Sequence, residues 1–174
     1  MVKTVVVMRN PKDMLVSLYY FYKTNQVFGS FDKSWNDFFQ LFQHKKLIYG
    51  DWLDHVESYW NTCMDKKDVL FVQYEDAKAD LNSVLRKIAG FLEIPLNEDV
   101  IKTISTHVEF SNMKTNPMTN LEEVAASGFF RDNNFIRQGI VGGWKCHFTV
   151  AQNEYIDEVY MKGVEQLGIS IRDA

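Results

Sequence analysis

Seven consecutive residues near the start of the chain, Val2 to Met8, are β-branched and nearly uniformly apolar, and they stop at Arg9-Asn10-Pro11-Lys12-Asp13. Such a run suits a parallel strand covered on both faces, and so one central in its sheet, better than a strand with one wet side. The break that follows has the signature of a helix start. Asn10 supplies an N-cap, Pro11 fits the first helical position where its missing N–H costs nothing, and Asp13 complements the positive end of a helix that runs to about Tyr22. A strand that feeds a helix N-terminus through a tight turn is a favourable place for an anion, because amide donors and the dipole converge there. Arg9 adds a cationic fork, and Ser17 adds a hydroxyl from the helix face. Taken alone, Arg9 and Lys12 read equally well as surface charges at a helix start.

The remaining chain reads as helices around one further strand. Ser34 and Asp37 frame a second helix start, and Trp35, Phe38, Phe39 and Phe42 recur at helical spacing, a stripe read as core packing. Asp51 to Thr62 repeats the pattern, with Trp52, Val56, Tyr59 and Trp60 on one side. Val69 to Gln73 is a short buried strand ended by Tyr74-Glu75-Asp76. The long amphipathic helix after it carries Leu81, Val84, Leu85, Ile88, Phe91 and Leu92, and Pro95 stops it. Asn97 to Thr106 predicts another helix. Val108 to Phe148 is irregular and long enough to suggest function or disorder, and Val150 to Leu167 is a final helix closed by Gly168.

Two strands joined by helical crossovers predict an α/β fold, a parallel sheet flanked by helices. Two parallel strands leave unpaired outer edges, so strands outside this chain or partner surfaces are expected to cover them. The chain reads as incomplete at its N-terminal side.

Composition narrows the function. With 174 residues, 46% hydrophobic, and no low-complexity segment, residues 1–174 read as one domain or a large piece of one. A net charge of −4 and a pI near 5.6 exclude a global basic field, so nucleic acid is not an expected partner and any anion site must be local. Cys63 and Cys146 lie far apart with no C-x-x-C spacing, which predicts free thiols in a reducing cytosol rather than a disulfide framework or a zinc site. No metal is expected. The sequence shows no signal peptide and no apolar run near the roughly 20 residues of a membrane span, so a cytoplasmic protein without a membrane partner is expected. No G-x-x-x-x-G-K-[ST] occurs, which ranks a P-loop kinase last.

A second element supports the anion site. Between Phe135 and Glu154, Arg137 stands beside Gln138 and Gly139, with Gly142 and Gly143 close behind, so backbone amides can approach a phosphate. At this point the chain resembles the cytosolic sulfotransferases that use 3'-phosphoadenylyl sulfate (PAPS). The resemblance rests on RNPKDMLVS (Arg9 to Ser17), YGDWLDHV (Tyr49 to Val56), VLFVQYED (Val69 to Asp76), NPMTN (Asn116 to Asn120) and RQGIVGGWKCHFTVAQNE (Arg137 to Glu154), in the family's order.

The resemblance implies a P-loop NTPase-like sulfotransferase fold, with this chain as its C-terminal part. It implies PAPS as co-substrate and adenosine 3',5'-bisphosphate as product, with a small-molecule acceptor. Carried over by position, Arg9 and Ser17 become ligands of the 3'-phosphate, joined by Arg137, Gln138 and Gly139, with Phe135 just ahead of that loop. Tyr74 corresponds to a residue reaching the adenosine, and Phe110 and Met113 to positions flanking the adenine, for which core packing is the other reading. Lys145, Thr149, Val150 and Glu154 match the family's dimer motif, K-x-x-x-T-V-x-x-x-E, which implies a homodimer; a loop leading into a helix start is the other reading.

The chain also departs from the family pattern. Gln138 stands where a lysine is usual, Val108-Glu109 where Thr-Ser is usual, and Gly143 where an aspartate is usual. The resemblance places the family's Lys-Ser-Gly-Thr-Thr phosphosulfate loop and its catalytic histidine before the segment where this chain begins, and none of His44, His55, His107 or His147 has the context of that base. His55 matches a family histidine near the acceptor entrance. The chain alone is therefore expected to be inactive, with a catalytically dead nucleotide-binding or dimerising relative as the alternative. Acceptor loops are expected at Thr24 to Phe31 and Leu121 to Phe135, where Phe28, Phe31, Phe129 and Phe130 suggest an apolar acceptor.

Overall fold

The computed structural model describes residues 2–27, 29, 31–131 and 135–172. Strand β1 (Thr4–Met8) leads into helix α1 (Pro11–Thr24), followed by α2 (Trp35–Gln43), α3 (Trp52–Cys63) and strand β2 (Val69–Gln73). Helices α4 (Tyr74–Ala79), α5 (Leu81–Leu92), α6 (Glu98–His107), α7 (Phe110–Thr115) and α8 (Glu122–Ala126) come next. A 3₁₀ turn (Gly143–Cys146) then precedes α9 (Val150–Ile156), a π-helical stretch (Asp157–Met161) and α10 (Lys162–Gln166). The strands pair in parallel, from Thr4 against Val69 to Met8 against Gln73. This is the expected α/β plan, with helices between parallel strands.

The predicted helix starts form for the predicted reasons. The Asn10 side chain accepts from the Lys12 amide at 2.9 Å, and Pro11 opens α1. Ser34 and Asp37 close a reciprocal capping box on α2, and Asp51 accepts from the amides of Leu53 and Asp54 at the head of α3. The aromatic stripe of α2 is core. Phe38, Phe39 and Phe42 are buried with Leu15, Tyr19, Tyr22, Leu47, Ile156 and Tyr160, so α2 packs over α1 and the π-helical stretch. A second cluster, Met8, Val56, Val164, Ile169 and Ile171, seals one face of the sheet.

Several expectations are corrected. β1 is not uniformly buried: Met8 is 8% exposed, Val5 and Val6 are half-buried, and Thr4 and Val7 are exposed, Val7 at 63%. β2 occupies one edge of β1 and, among the described residues, no strand pairs with the other, which is the open edge expected of two parallel strands. On α3, Val56 is buried against Met8 but Tyr59, read as part of the same apolar side, is exposed. The amphipathic helix expected from Leu81 forms as α5, and the short α4 that precedes it, at Tyr74–Ala79, was not expected; Asp80 separates the two with φ −149° and turns its side chain to cap Ser83. Glu93, not Pro95, ends α5: it takes the left-handed conformation (φ 61°), and the Ile94 amide reaches back to the Ala89 carbonyl. α1 runs two residues beyond Tyr22. The final helix is interrupted by its π-helical stretch, although Gly168 (φ 74°) closes it as read. The irregular stretch Val108 to Phe148 contains α7, α8 and the 3₁₀ turn.

Both cysteines are free, Cys63 half-buried and Cys146 exposed. No helix among the described residues is long and apolar enough to cross a membrane.

Candidate functional site

The end of β1 and the start of α1 fix one wall of a cavity of about 640 Å³. Arg9 leaves the strand into this cavity, and Ser17 faces it from α1, where the residue is exposed. The opposite wall comes from the far end of the chain: Phe135, Arg137, Gln138 and Gly139. The structure thus brings together the two segments that carry the predicted anion ligands. Tyr20, Phe21 and Thr24 complete the helix side.

Aromatic rings hold both guanidinium groups. Arg9 lies 4.4 Å from the centroid of Tyr74 and donates to the Ile140 carbonyl at 3.1 Å, so Tyr74 touches the site through Arg9. Arg137 lies 4.5 Å from the Tyr20 ring and donates to the Gln138 side-chain oxygen. Burial lowers the Arg137 pKa from its ordinary value, with the charge of Arg9 adding to the effect and Tyr20 and Asp13 opposing it. Tyr74 is shifted upward by burial, against the pull of Arg9. Two cations in one partly desolvated cavity favour any anion that enters.

Gly139 has φ 60°, and a Cβ built there would lie 2.6 Å from Cδ2 of Phe110. Only glycine satisfies both conditions, and its bare backbone lets the Phe110 ring rest beneath the loop. Met113, one turn along α7, is half-buried and is not among the side chains lining the cavity. The structure does not bring it to the anion end of the site.

Two residues were misread from the sequence. Lys12 is not a surface charge: it is 2% exposed, with its ammonium 4.5 Å from the Trp144 ring and ion-paired with Asp157. Asp13, read only as a dipole partner, is also 2% exposed and accepts from the Gly142 amide at 2.6 Å and the Trp144 amide at 3.0 Å. The available signal was the Gly142-Gly143 pair, which marks a backbone that something approaches closely.

A second cavity, of about 470 Å³, lies over the sheet and α3. It has a mostly apolar lining that includes Val7, Met8, Phe42, Trp52 and Phe71. His55 lines it, with its ring against Tyr59 at 4.9 Å, and Arg9, Met14 and Leu18 border both cavities. Of the phenylalanines expected in acceptor loops, Phe31 instead packs in the core against Tyr22 and Phe38. Phe130 is buried between Phe21 and Phe135, both of which line the first cavity, and Phe129 is exposed. Phe28 lies outside the described residues. Lys145, Thr149, Val150 and Glu154 are all exposed, Val150 at 76%, while Thr149 also caps α9 through a reciprocal bond pair with Gln152.

Residues 1–168 match the family model described as the sulfotransferase domain. The chain belongs to the sulfotransferase domain family. Among curated relatives it is 38% identical to sulfotransferase 1C2 of Homo sapiens over 169 residues, covering 97% of this chain and 56% of that protein. It is 41% identical to sulfotransferase 1C2 of Rattus norvegicus over 159 residues, covering 91% and 53%. The chain thus spans a little over half the length of these family members. Among solved structures, mouse sulfotransferase SULT7A1 complexed with PAP superposes with a TM-score of 0.79 at 34% identity, covering 94% of this chain and 58% of that one. Retinol dehydratase in complex with retinol and PAP superposes at 0.88 with 25% identity, covering 98% and 50%. These matches agree with the α/β family fold expected from the motifs.

Proposed function

We propose that this chain is the part of a PAPS-dependent sulfotransferase that grips the 3'-phosphate and adenine of the nucleotide. Its Arg9, Ser17, Arg137, Gln138 and Gly139 receive the phosphate. The convergence of Arg9 and Arg137 with a hydroxyl on one cavity is the observation that carries this reading. A phosphate is met by planar guanidinium forks, which suit its oxygens better than point charges do. Tyr74 orients Arg9 toward the cavity, and Phe110, packed under Gly139, lies on the side where the adenine would rest. Gln138 supplies a neutral hydrogen bond where the family pattern has a cation, so it weakens the grip without abolishing it.

In the complete reaction, the sulfuryl group passes in line from the nucleotide to a hydroxyl or amine of a small, apolar acceptor. Cations stabilise the departing phosphate oxygen. The Lys-Ser-Gly-Thr-Thr loop and the base that this step requires have no counterpart in the 174 residues, so the chain by itself does not transfer. The protein acts in the cytoplasm. The exposed Lys145, Thr149, Val150 and Glu154 form a small isologous contact in which Lys145 of one copy pairs with Glu154 of the other.

Calorimetric titration with adenosine 3',5'-bisphosphate tests the reading. Binding that weakens by about tenfold or more in Arg9→Ala supports it. A well-folded chain that does not bind overturns it. Incubation with radiolabelled PAPS and a panel of phenols and alcohols tests the second part, since robust transfer by this chain would contradict its inactivity.

A further inference from the structure

The Asp13 carboxylate does something a helix-start acid does not ordinarily do. Acids in a first turn normally sit in solvent and favour the amides of their own helix. Here Asn10 already caps α1, and Asp13 is buried with its two oxygens on the amides of Gly142 and Trp144, which belong to the distant loop after Arg137. Lys12, equally buried, adds a second attachment through the Trp144 ring and fastens it to Asp157 in the π-helical stretch. These two adjacent residues follow directly on the Arg9-Asn10-Pro11 turn. The helix that presents Ser17 is therefore the same one that holds the loop carrying Arg137.

We propose that Asp13 is a positioning residue: by accepting from the Gly142 and Trp144 amides it docks the Arg137–Gly139 loop on α1 and so assembles the two halves of the anion site. This rests on the nucleotide reading given above. A carboxylate close to an anion site opposes anion binding by simple electrostatics, so as a bare charge Asp13 weakens the site. As a clamp it strengthens the site. The two roles therefore predict opposite signs for Asp13→Asn, which removes the charge and turns an amide donor toward a backbone N–H that needs an acceptor.

The test uses the full chain with two measurements. Hydrogen exchange at the Gly142 and Trp144 amides is followed without nucleotide, and affinities for adenosine 3',5'-bisphosphate and adenosine 5'-monophosphate are compared by calorimetry. In Asp13→Asn, exchange at both amides is expected to rise about tenfold or more, and the preference for the bisphosphate to fall by a similar factor, while core amides of α2 keep their protection. Lys12→Met removes only the indole and Asp157 contacts, and it is expected to raise exchange at Trp144 and lower the preference by a smaller factor. Asp13→Glu, which keeps the charge but moves the oxygens off the two amides, serves as the deciding variant if Asp13→Asn does not fold, with the same rise in exchange and fall in preference expected. A wild-type preference that persists or grows in the variant overturns the positioning role alone. A wild-type chain with no preference for the bisphosphate overturns the nucleotide reading and the positioning role together.

Discussion

Arg9 and Arg137 face the same cavity because different rings hold them, Tyr74 for one and Tyr20 for the other. Arg137→Ala is expected to weaken binding of adenosine 3',5'-bisphosphate by about tenfold to a hundredfold with little change in stability, measured by calorimetry beside thermal denaturation. Gly139→Ala combines a left-handed backbone with a clash on Phe110. It is expected to weaken the same binding even though no charge is lost.

At another buried site, Tyr160 donates to Asp51 at 2.6 Å, and burial, reinforced by that carboxylate, raises the phenol pKa far above its ordinary value. A folded-state pKa above the unfolded value contributes stability that is complete below about pH 10 and is lost as the pH rises toward the folded pKa. Denaturation midpoints are therefore expected to fall above about pH 10. Tyr160→Phe should flatten that decline while costing about 1–3 kcal/mol at neutral pH, because Asp51 loses a donor. Arg9 was legible as a candidate only beside the Arg137-Gln138-Gly139 segment and the motifs read in order, since a cation at a helix start by itself reads equally well as a surface charge. Lys12 and Asp13 were not, since their partners lie at the other end of the chain.

Element boundaries were legible where a side chain caps its own backbone. Asn10, Ser34, Asp51, Asn97 and Thr149 all accept from amides two or three residues ahead, a local bond that needs no tertiary partner. Ser34→Ala is accordingly expected to destabilise the chain by about 1 kcal/mol through α2, whose Phe38, Phe39 and Phe42 fill the core, as read by urea denaturation. The splits were less legible. Asp80 and Glu93 break helices through backbone conformations that many sequences tolerate. The π-helical stretch at Asp157–Met161 sits where Asp157 meets Lys12 and Tyr160 packs on Phe42, contacts set by α1 and α2 rather than by its own pattern.

For the molecule as a whole, the two-stranded sheet leaves Val7 exposed and an apolar cavity above α3. Val7→Lys is expected to lower light scattering of concentrated solutions without lowering the melting temperature, because a lysine on an open strand disfavours edge pairing. The proposed isologous contact at Lys145–Glu154 is tested by Val150→Arg: a wild-type dimer in sedimentation that the variant shifts toward monomer supports the contact, and a wild-type monomer overturns it.

Taken alone, the sequence determined the parallel α/β plan, the helix starts and the family, because these depend on local caps, residue periodicity and motifs read in order along the chain. Only the tertiary structure decided that Val7 is exposed and that Phe31 packs against the core. It also decided that Lys12 and Asp13 clasp the loop that carries Arg137. The physical reason is that burial and hydrogen-bond partnership between distant segments are set by which surfaces meet, and a one-dimensional pattern shows only that a residue has a face or a donor to offer. The opening Val2 to Met8 followed by Arg9 announced a strand and a candidate anion turn, but the fold brought Arg137 to the same cavity and set the buried Asp13 carboxylate on the Gly142 and Trp144 amides.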